Sequence, residues 1–118
     1  MNPVQLDHTM IALADQTRRA ILQRLSRGEA RVTELAKPFR MSLNAVSKHI
    51  MVLERAGLVQ RHRKGREHFL SANPQPLEDA AGWITDLHVM WEAKLGRLDD
   101  YLKGIQSKNR KNQQAKEK

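Results

Sequence analysis

An amphipathic segment that stops directly before a short hairpin pattern is the feature that most constrains how this chain can fold. Val46, Ile50 and Leu53 recur at steps of four and three residues, which predicts one buried face of an α-helix. Ser42 is placed to accept hydrogen bonds from the free N–H groups at the start of this helix, and Gly57 is placed to end it. We therefore expect a capped helix between these two residues, with β-structure immediately after it.

Two short runs after this helix alternate apolar and polar residues, as the strands of a hairpin do. The runs are Leu58–Arg63 and Glu67–Ser71, and Gly65 between them supplies the conformational freedom that a tight turn needs. The Asn-Pro-Gln-Pro sequence at 73–76 then interrupts regular structure. We predict a small β-hairpin between the capped helix and this break.

The N-terminal third of the chain predicts three helices. The apolar positions with helical spacing in the first two are Leu6, Met10, Leu13, Ile21, Leu22 and Leu25. Asp15 is expected to cap the second helix, and Gly28 to end it. Thr33 is expected to cap a short third helix over 34–39, which Pro38 keeps short because proline has no N–H to donate. The third helix and the capped helix after it together have the dimensions of a helix-turn-helix.

The longest predicted helix, from about residue 77 to residue 103, carries a heptad-like apolar seam. Its seam positions are Leu77, Ala81, Ile84, His88, Trp91, Leu95, Leu98 and Leu102. A small helical core covers part of such a face, and an exposed apolar remainder marks a partner site. Because two-fold pairing is the commonest oligomer, we expect a dimer. The expected interface residues are Ile84, His88, Trp91, Leu95, Leu98 and Leu102.

The net charge of +8 is distributed unevenly along the chain. Residues 40–68 carry +5, residues 77–102 carry −4 and residues 103–118 carry +5. The first basic block lies in sequence that is expected to fold, which indicates a polyanionic partner. The second follows the last helix and is polar, so we predict one domain over residues 1–103 and a basic, disordered tail over 104–118.

Several function classes are excluded or disfavoured by composition. A chain of 118 residues fits one domain, and its lack of cysteine removes disulfides, thiolate metal sites and cysteine nucleophiles. No recognisable catalytic order of Ser, His and acid residues and no glycine-rich phosphate loop occurs, so we expect no enzyme. The N-terminus lacks the features of a signal peptide, which predicts a cytoplasmic protein.

The outer side of the capped helix presents polar and cationic groups. The residues opposite its apolar face are Asn44, Lys48, Met51 and Arg55, with Ser47 nearby. An amide can pair with adenine, a cation with guanine or phosphate, and a hydroxyl with either. These groups suit the major groove of double-stranded DNA.

Four cations occupy six residues of the hairpin, namely Arg61, Arg63, Lys64 and Arg66. On a β-ribbon beside a recognition helix they would bind phosphates or a narrow minor groove. The alternative is that they are ordinary solvated charges of a basic turn. The neighbouring capped helix with its polar outer face favours DNA binding.

Several motifs in this order resemble the ArsR family of winged helix-turn-helix repressors. The matching runs are ALADQTRRAIL at 12–22, VTELA at 32–36, MSLNAVSKHI at 41–50 and LERAGLV at 53–59. The Gly65-Arg66 and Pro76-Leu77 pairs and WEAKLGRL at 91–98 are similar to the cysteine-free branch of that family. The resemblance covers roughly residues 4–103.

The resemblance implies a mainly α fold with a small β-hairpin that dimerises through its N- and C-terminal helices. It also implies a homodimer that binds a palindromic operator and represses transcription, often of its own or a neighbouring operon. The family's base-reading positions fall on Asn44, Ser47 and Lys48, with Ser42 and Ala45 beside them. Its wing falls on residues 61–66.

The chain departs from the metal-sensing members of the family. Asp86 and His88 match the first half of a zinc site between C-terminal helices, but Asp99 and Leu102 stand at the second half, which leaves the ligand set incomplete. We therefore expect no metal and no other cofactor. The alternatives are a metal-responsive repressor that uses Asp86 and His88, or a basic module that binds RNA or an acidic protein.

Two features of the last helix remain open to two interpretations each. His88 either packs in the dimer seam and sets its register or responds to pH or a ligand there. Trp83, Met90 and Trp91 either belong to the core or interface or line an effector pocket. The inducing signal, the operator sequence and the regulated genes have no signature in the sequence.

Overall fold

The computed structural model of the protein describes the backbone of residues 1–116 and the side chains of residues 1–109. The elements in chain order are α1 (Pro3–Leu13), α2 (Gln16–Leu25), β1 (Ala30–Arg31), α3 (Val32–Ala36), α4 (Leu43–Arg55), β2 (Val59–Lys64), β3 (Glu67–Ala72) and α5 (Gln75–Lys116). The chain forms two compact units, Met1–Ala81 and Gly82–Lys118. No helix in the described part has both the length and the apolar character needed to cross a membrane.

Side chains cap the first two helices at their N-termini. The Asn2 side chain accepts hydrogen bonds from the backbone N–H groups of Val4 and Gln5, at 2.7 and 3.2 Å. Asp15 accepts one from the Arg18 N–H at 3.1 Å, which confirms the predicted cap of the second helix. This hydrogen bond lowers the pKa of the Asp15 carboxyl below the ordinary aspartate value, because it stabilises the carboxylate.

A two-residue strand precedes α3 and was not expected from the sequence. Ala30 and Arg31 pair antiparallel with Leu70 and Phe69 of β3, so the hairpin becomes a three-stranded sheet in the order β1-β3-β2. Since α3 begins directly after this strand, the prediction that Thr33 caps it was wrong, and its N-cap position is Arg31. The prediction that this helix runs to residue 39 was also wrong, since it ends at Ala36, two residues before Pro38, which has no N–H to donate to a helix.

The β2–β3 hairpin follows the sequence prediction closely. The two strands pair antiparallel from Val59 opposite Ala72 to Lys64 opposite Glu67. Gly65 in the turn has φ +63°, a left-handed backbone conformation that residues with a Cβ rarely adopt. The strands therefore turn where the glycine allows it, and their register fixes which side chains share a face of the sheet.

Helix α4 lies in the middle of the core of the first unit. Its cap is Ser42, whose hydroxyl accepts from the Ala45 N–H at 3.1 Å, and Gly57 follows its end with φ +72°. The helix packs against α1, α2, α3 and β2. The larger fully buried side chains of this core are Ile21, Leu35, Val46, Ile50, Leu53, Leu58 and Leu70. The predicted capped helix and its apolar face are confirmed.

Helix α5 is longer than the sequence analysis predicts at both ends. It starts at Gln75 inside the Pro-containing break, because Pro76 lies in the first turn, where its missing N–H is not needed. The prediction that helical structure ends at Lys103 was wrong, since the helix continues through Gly104 to Lys116. One glycine costs a helix about 1 kcal/mol, which good helix formers around it can offset. Residues 117–118 of the predicted tail lie outside the described residues, and the domain boundary at 103/104 stays a prediction.

Candidate nucleic-acid interface

Helix α4 presents a polar outer face opposite its buried one. Asn44 and Lys48 are exposed on this face, while Ala45 and Ser47 at its edge are partly buried. Met51 continues the exposed face by one turn, with 48% of its surface accessible. The amide, hydroxyl and ammonium groups expected to read DNA bases thus lie at the N-terminal end of one helix, directed away from the core.

The start of α4 adds backbone donors to this face. Ser42 is exposed and uses its hydroxyl oxygen to cap the helix, which satisfies the N–H of Ala45. The remaining free N–H groups of the first turn and the positive end of the helix dipole favour a phosphate there. Ser42 therefore supports the interface by shaping the helix start, and its hydroxyl hydrogen is still able to donate.

A side-chain cluster behind α4 holds the helix against α1 and α2. The Arg18 guanidinium donates to the carbonyl oxygens of Ile11 and Ala12 at 2.8 and 2.9 Å, and lies 3.2 Å from His49 Nδ1. Asp15 lies 3.8 Å from the same ring nitrogen. This cluster was not predicted, because no local pattern in the sequence indicates that Arg18 meets a residue of α4.

Strand alternation divides three of the four wing cations between the two faces of the sheet, and the fourth, Arg66, lies in the turn between β2 and β3. Arg61 and Arg63 are on the face that carries the buried Val59 and Leu70, because these positions alternate along paired strands. Arg61 forms an ion pair with Glu54 of α4, at 2.9 Å. This face of the wing is therefore joined directly to the helix that presents the polar groups.

Lys64 lies on the opposite face of the wing, with His62 and Phe69. Its ammonium donates a hydrogen bond to Glu29, and it lies 5.2 Å from the centre of the Phe69 ring. His62 Nε2 lies 2.6 Å from the second oxygen of Glu29, and its ring stacks on that of Phe69 at 6.3 Å. Hydrogen bonds from Lys64, and then from His62, lower the pKa of the Glu29 carboxyl, so this acid stays charged.

Arg63 and Arg66 are the open cations of the wing. Both are exposed, and the Arg63 Nε donates to the carbonyl oxygen of Gly65 at 2.9 Å. Among residues 1–109 neither guanidinium forms an ion pair with a carboxylate. The sequence treats the four cations as equivalent, whereas the structure separates two that have acidic partners from two that do not.

The apolar seam of α5 is exposed along the second unit. The accessible fractions are 50% for Ile84, 61% for Trp91, 63% for Leu95, 53% for Leu98 and 48% for Leu102. His88 is also exposed and lies 3.0 Å from the Glu92 carboxylate one turn further on. Within the residues whose side chains are described, nothing buries these six predicted interface residues.

The three large side chains that could line an effector pocket on α5 do not form one cavity among the described residues. Trp83, Met90 and Trp91 are all exposed, and a shallow depression of about 240 Å³ is lined by Trp91, Lys94 and Leu95 without the other two. In the described part of the chain, no group of three or more histidine or acidic side chains is arranged to hold a metal ion.

Three comparisons with known proteins agree with this architecture. A helix-turn-helix domain family matches residues 13–62. The transcriptional repressor SdpR of Bacillus subtilis is 32% identical over 79 residues, which cover 67% of this chain and 88% of that protein. The crystal structure of the ArsR family transcriptional regulator RHA00566 is 43% identical, with a TM-score of 0.73 over 78% of this chain and 95% of that one.

A solution structure adds information on assembly in a relative. It is the homodimeric winged helix-turn-helix DNA-binding domain of a possible ArsR-family regulator from Mycobacterium bovis, 28% identical, with a TM-score of 0.56 over 77% of this chain and 82% of that one. The polar α4 face, the basic wing and these similarities lead to one identification. The chain belongs to the ArsR family of winged helix-turn-helix proteins and is a DNA-binding transcriptional regulator, not an enzyme.

Proposed function

We propose that this protein is a homodimeric repressor that binds a palindromic operator in its own or a neighbouring operon. The observation that carries the proposal is the polar face of α4 beside a wing with two open arginines. The similar SdpR is a transcriptional repressor, and the similar domain from M. bovis is homodimeric. A regulator of this kind acts in the cytoplasm, where its DNA target lies.

Base reading is assigned to the N-terminal half of α4. Asn44 supplies an amide for adenine, Lys48 a cation for guanine or phosphate, and Ser47 a hydroxyl for either. Ser42 and Ala45 lie where the helix start approaches the backbone of the DNA. Because α4 is capped and packed on its other side, these groups are presented from a rigid element, which base-specific contacts need.

Phosphate contacts are assigned to the wing. Arg63 and Arg66 are available for them without breaking an ion pair, whereas Arg61 and Lys64 must share their charge with Glu54 and Glu29. Phosphate contacts supply affinity that is independent of sequence and decreases with salt. The wing therefore adds affinity to the specificity that α4 provides.

The α5 seam is assigned to the dimer interface. Pairing of Ile84, Trp91, Leu95, Leu98 and Leu102 with a second copy would remove half-exposed apolar surface from water. To read a palindromic site, two copies related by two-fold symmetry would hold their recognition helices about 34 Å apart, which is one turn of DNA. A palindromic operator follows from that symmetry.

An RNA-binding module is less consistent with the wing. Proteins that read single-stranded RNA present exposed aromatic rings on which bases stack. Phe69 is the aromatic residue of the wing, and it is partly buried between His62 and Lys64. A base stacking there would have to displace both side chains.

The test is a band-shift titration with three labelled ligands. They are a duplex that carries the promoters of the protein's own gene and of the neighbouring operon, a scrambled duplex of the same length and composition, and the corresponding single-stranded RNA. At moderate salt we expect the promoter duplex to bind at least a hundredfold more tightly than the scrambled one, because specific sites typically exceed random DNA by about 10³ or more. Equal binding of the two duplexes would overturn the proposal, and preferred binding of the RNA would support the alternative module.

A further inference from the structure

We propose that Glu29 is an internal counter-ion that withholds Lys64 from DNA phosphate and so lowers the affinity of the wing for random DNA. Glu29 lies outside both the helix-turn-helix and the wing, in the loop between α2 and β1. The inference rests on the proposed DNA-binding function. It makes Glu29 a positioning residue that acts through Lys64.

The loop that carries Glu29 is fixed on both sides. Gly28 precedes it with φ +136°, a conformation that residues with a side chain rarely adopt, and its N–H donates to the Leu25 carbonyl at 3.1 Å. Ala30 follows it, is buried and pairs with Leu70 of the central strand. Because the pairing of Ala30 in the sheet holds this backbone in place, the Glu29 carboxylate lies beside the wing face that carries His62 and Lys64.

Both oxygens of this carboxylate are used on the wing. One accepts from the Lys64 ammonium and the other lies 2.6 Å from His62 Nε2. His62 and Lys64 are two residues apart on one strand, so they share a face, and the bridge closes across that face. The Phe69 ring contacts both partners, since it stacks on the His62 ring and lies under the Lys64 ammonium.

The pair is exposed enough to be exchanged. The Lys64 side chain is 59% accessible and that of Glu29 is 34% accessible, so a phosphate can reach the ammonium. Ion pairs at such surfaces are weak, and a DNA phosphate would compete with Glu29 for the same cation. Before Lys64 can bind a phosphate, it must give up its ion pair with Glu29.

The consequence for recognition is a higher ratio of operator to random binding. A lysine that binds phosphate raises the affinity for every sequence by the same factor. Because non-specific sites greatly outnumber operators, withholding one such contact favours the operator in competition. A contact that merely stabilised the wing would not change the number of ions released on binding.

The experiment measures the salt dependence of binding to a random duplex for the full chain and four variants. Glu29→Gln removes the charge and keeps the size of the side chain. We expect the slope of log K against log salt to steepen by about 0.9, the value for one added phosphate contact. The double variant Glu29→Gln with Lys64→Gln should return to the wild-type slope, because the released cation is gone.

Glu67→Gln is the matched control for charge. It removes one negative charge from the same wing, but its partner Arg31 keeps Glu34 at 2.9 Å. We expect its slope to change by less than half as much as that of Glu29→Gln. An equal change in the two variants would mean that net charge, and not release of Lys64, causes the effect, and would overturn the proposal.

Two further results would also overturn it: a wild-type slope in Glu29→Gln, or a steepened slope that persists in the double variant. Arg63→Gln separates this failure from a failure of the proposed function. If Arg63→Gln reduces the slope and Glu29→Gln does not change it, the role of Glu29 is wrong and the wing still binds DNA. If neither variant changes the slope, the wing assignment itself is wrong. Circular dichroism checks the fold of each variant, and Glu29→Ser repeats the test if Glu29→Gln unfolds.

Discussion

The guanidinium of Arg61 lies 2.9 Å from the carboxylate of Glu54, and this ion pair joins the wing to the last turns of α4. The two residues belong to the elements that we assign to phosphate and to base contacts. Their side chains are 36% and 30% accessible, so the pair contributes little to stability, about 0–1 kcal/mol. The packing of α4 against β2 holds these two elements together, and the ion pair adds one polar contact between them.

Asn44 is the residue on which base specificity is expected to depend most. The Asn44 amide can form two hydrogen bonds with one adenine, through its N–H and its C=O group. Replacing it with alanine removes both, so Asn44→Ala should reduce the free energy of binding to the cognate operator by about 1–3 kcal/mol. Binding to a scrambled duplex should stay within twofold. Band-shift titrations with both duplexes measure the two changes.

Gln23→Ala is the control for this variant, since Gln23 is an exposed amide on α2 outside the proposed interface. It should bind both duplexes as the wild type does. If Asn44→Ala keeps the wild-type preference for the operator, the reading face of α4 has been assigned to the wrong residues.

Arg63 is expected to contribute sequence-independent affinity. Because it is exposed and forms no ion pair among residues 1–109, its removal should cost a phosphate contact and, within the protein, only the hydrogen bond to the Gly65 carbonyl. Arg63→Gln should weaken binding to operator and random DNA by the same factor and reduce the salt slope by about 0.9. A loss confined to the operator would instead indicate that Arg63 reads bases.

Leu95 tests the proposed interface. It is 63% exposed in the middle of the α5 seam, and a charge there would have to be buried in the dimer. Leu95→Glu should shift the protein from dimer to monomer in analytical ultracentrifugation and abolish operator binding at concentrations where the wild type is saturated.

Ala93→Glu is matched to this variant in charge and in position along the helix. Ala93 lies on the side of α5 opposite the seam, as the heptad spacing places it. We expect it to remain dimeric and to bind the operator. A dimeric Leu95→Glu protein would show that the seam is not the interface.

Asp15 is expected to make stability depend on pH. Its hydrogen bond from the Arg18 N–H holds its folded pKa below the value it has in the unfolded chain. The cap therefore stabilises the fold fully above about pH 4 and is lost as the pH falls through the lowered folded pKa. Asp15→Ala should cost about 1 kcal/mol at pH 7.

Denaturant unfolding at pH 7 and at pH 3 measures this dependence. The difference between the wild type and Asp15→Ala should shrink at pH 3, because this pH is below the ordinary aspartate pKa and protonation of Asp15 in the unfolded chain removes part of the stabilisation. An equal difference at both values would mean that the cap does not depend on the ionised carboxylate.

Much of the fold could be predicted from local sequence. The caps at Asp15 and Ser42, the apolar face of α4 and the glycine of the hairpin each act within a few residues, so periodicity and residue chemistry are sufficient to find them. The same local features carried the resemblance to the ArsR family. The polar face of α4 follows directly, because burying one side of a helix exposes the other.

The end of α5 shows where local signals mislead. Gly104 followed by a polar, basic run predicts the end of a helix, but the helix continues to Lys116. A glycine weakens a helix by an amount that neighbouring residues can exceed, so its position suggests an end without requiring one.

The sequence by itself determined the helices, the hairpin and the set of residues from which a DNA-binding surface can be built. The tertiary structure decided which of the cations pair with a carboxylate and which stay available to a ligand. Glu29 meets His62 and Lys64 across 33 and 35 residues, and β1 exists because Ala30 and Arg31 find a partner in β3. Such contacts form only when distant parts of the chain fold against each other. The periodicity and residue preferences of a local segment do not indicate which distant residue it will meet.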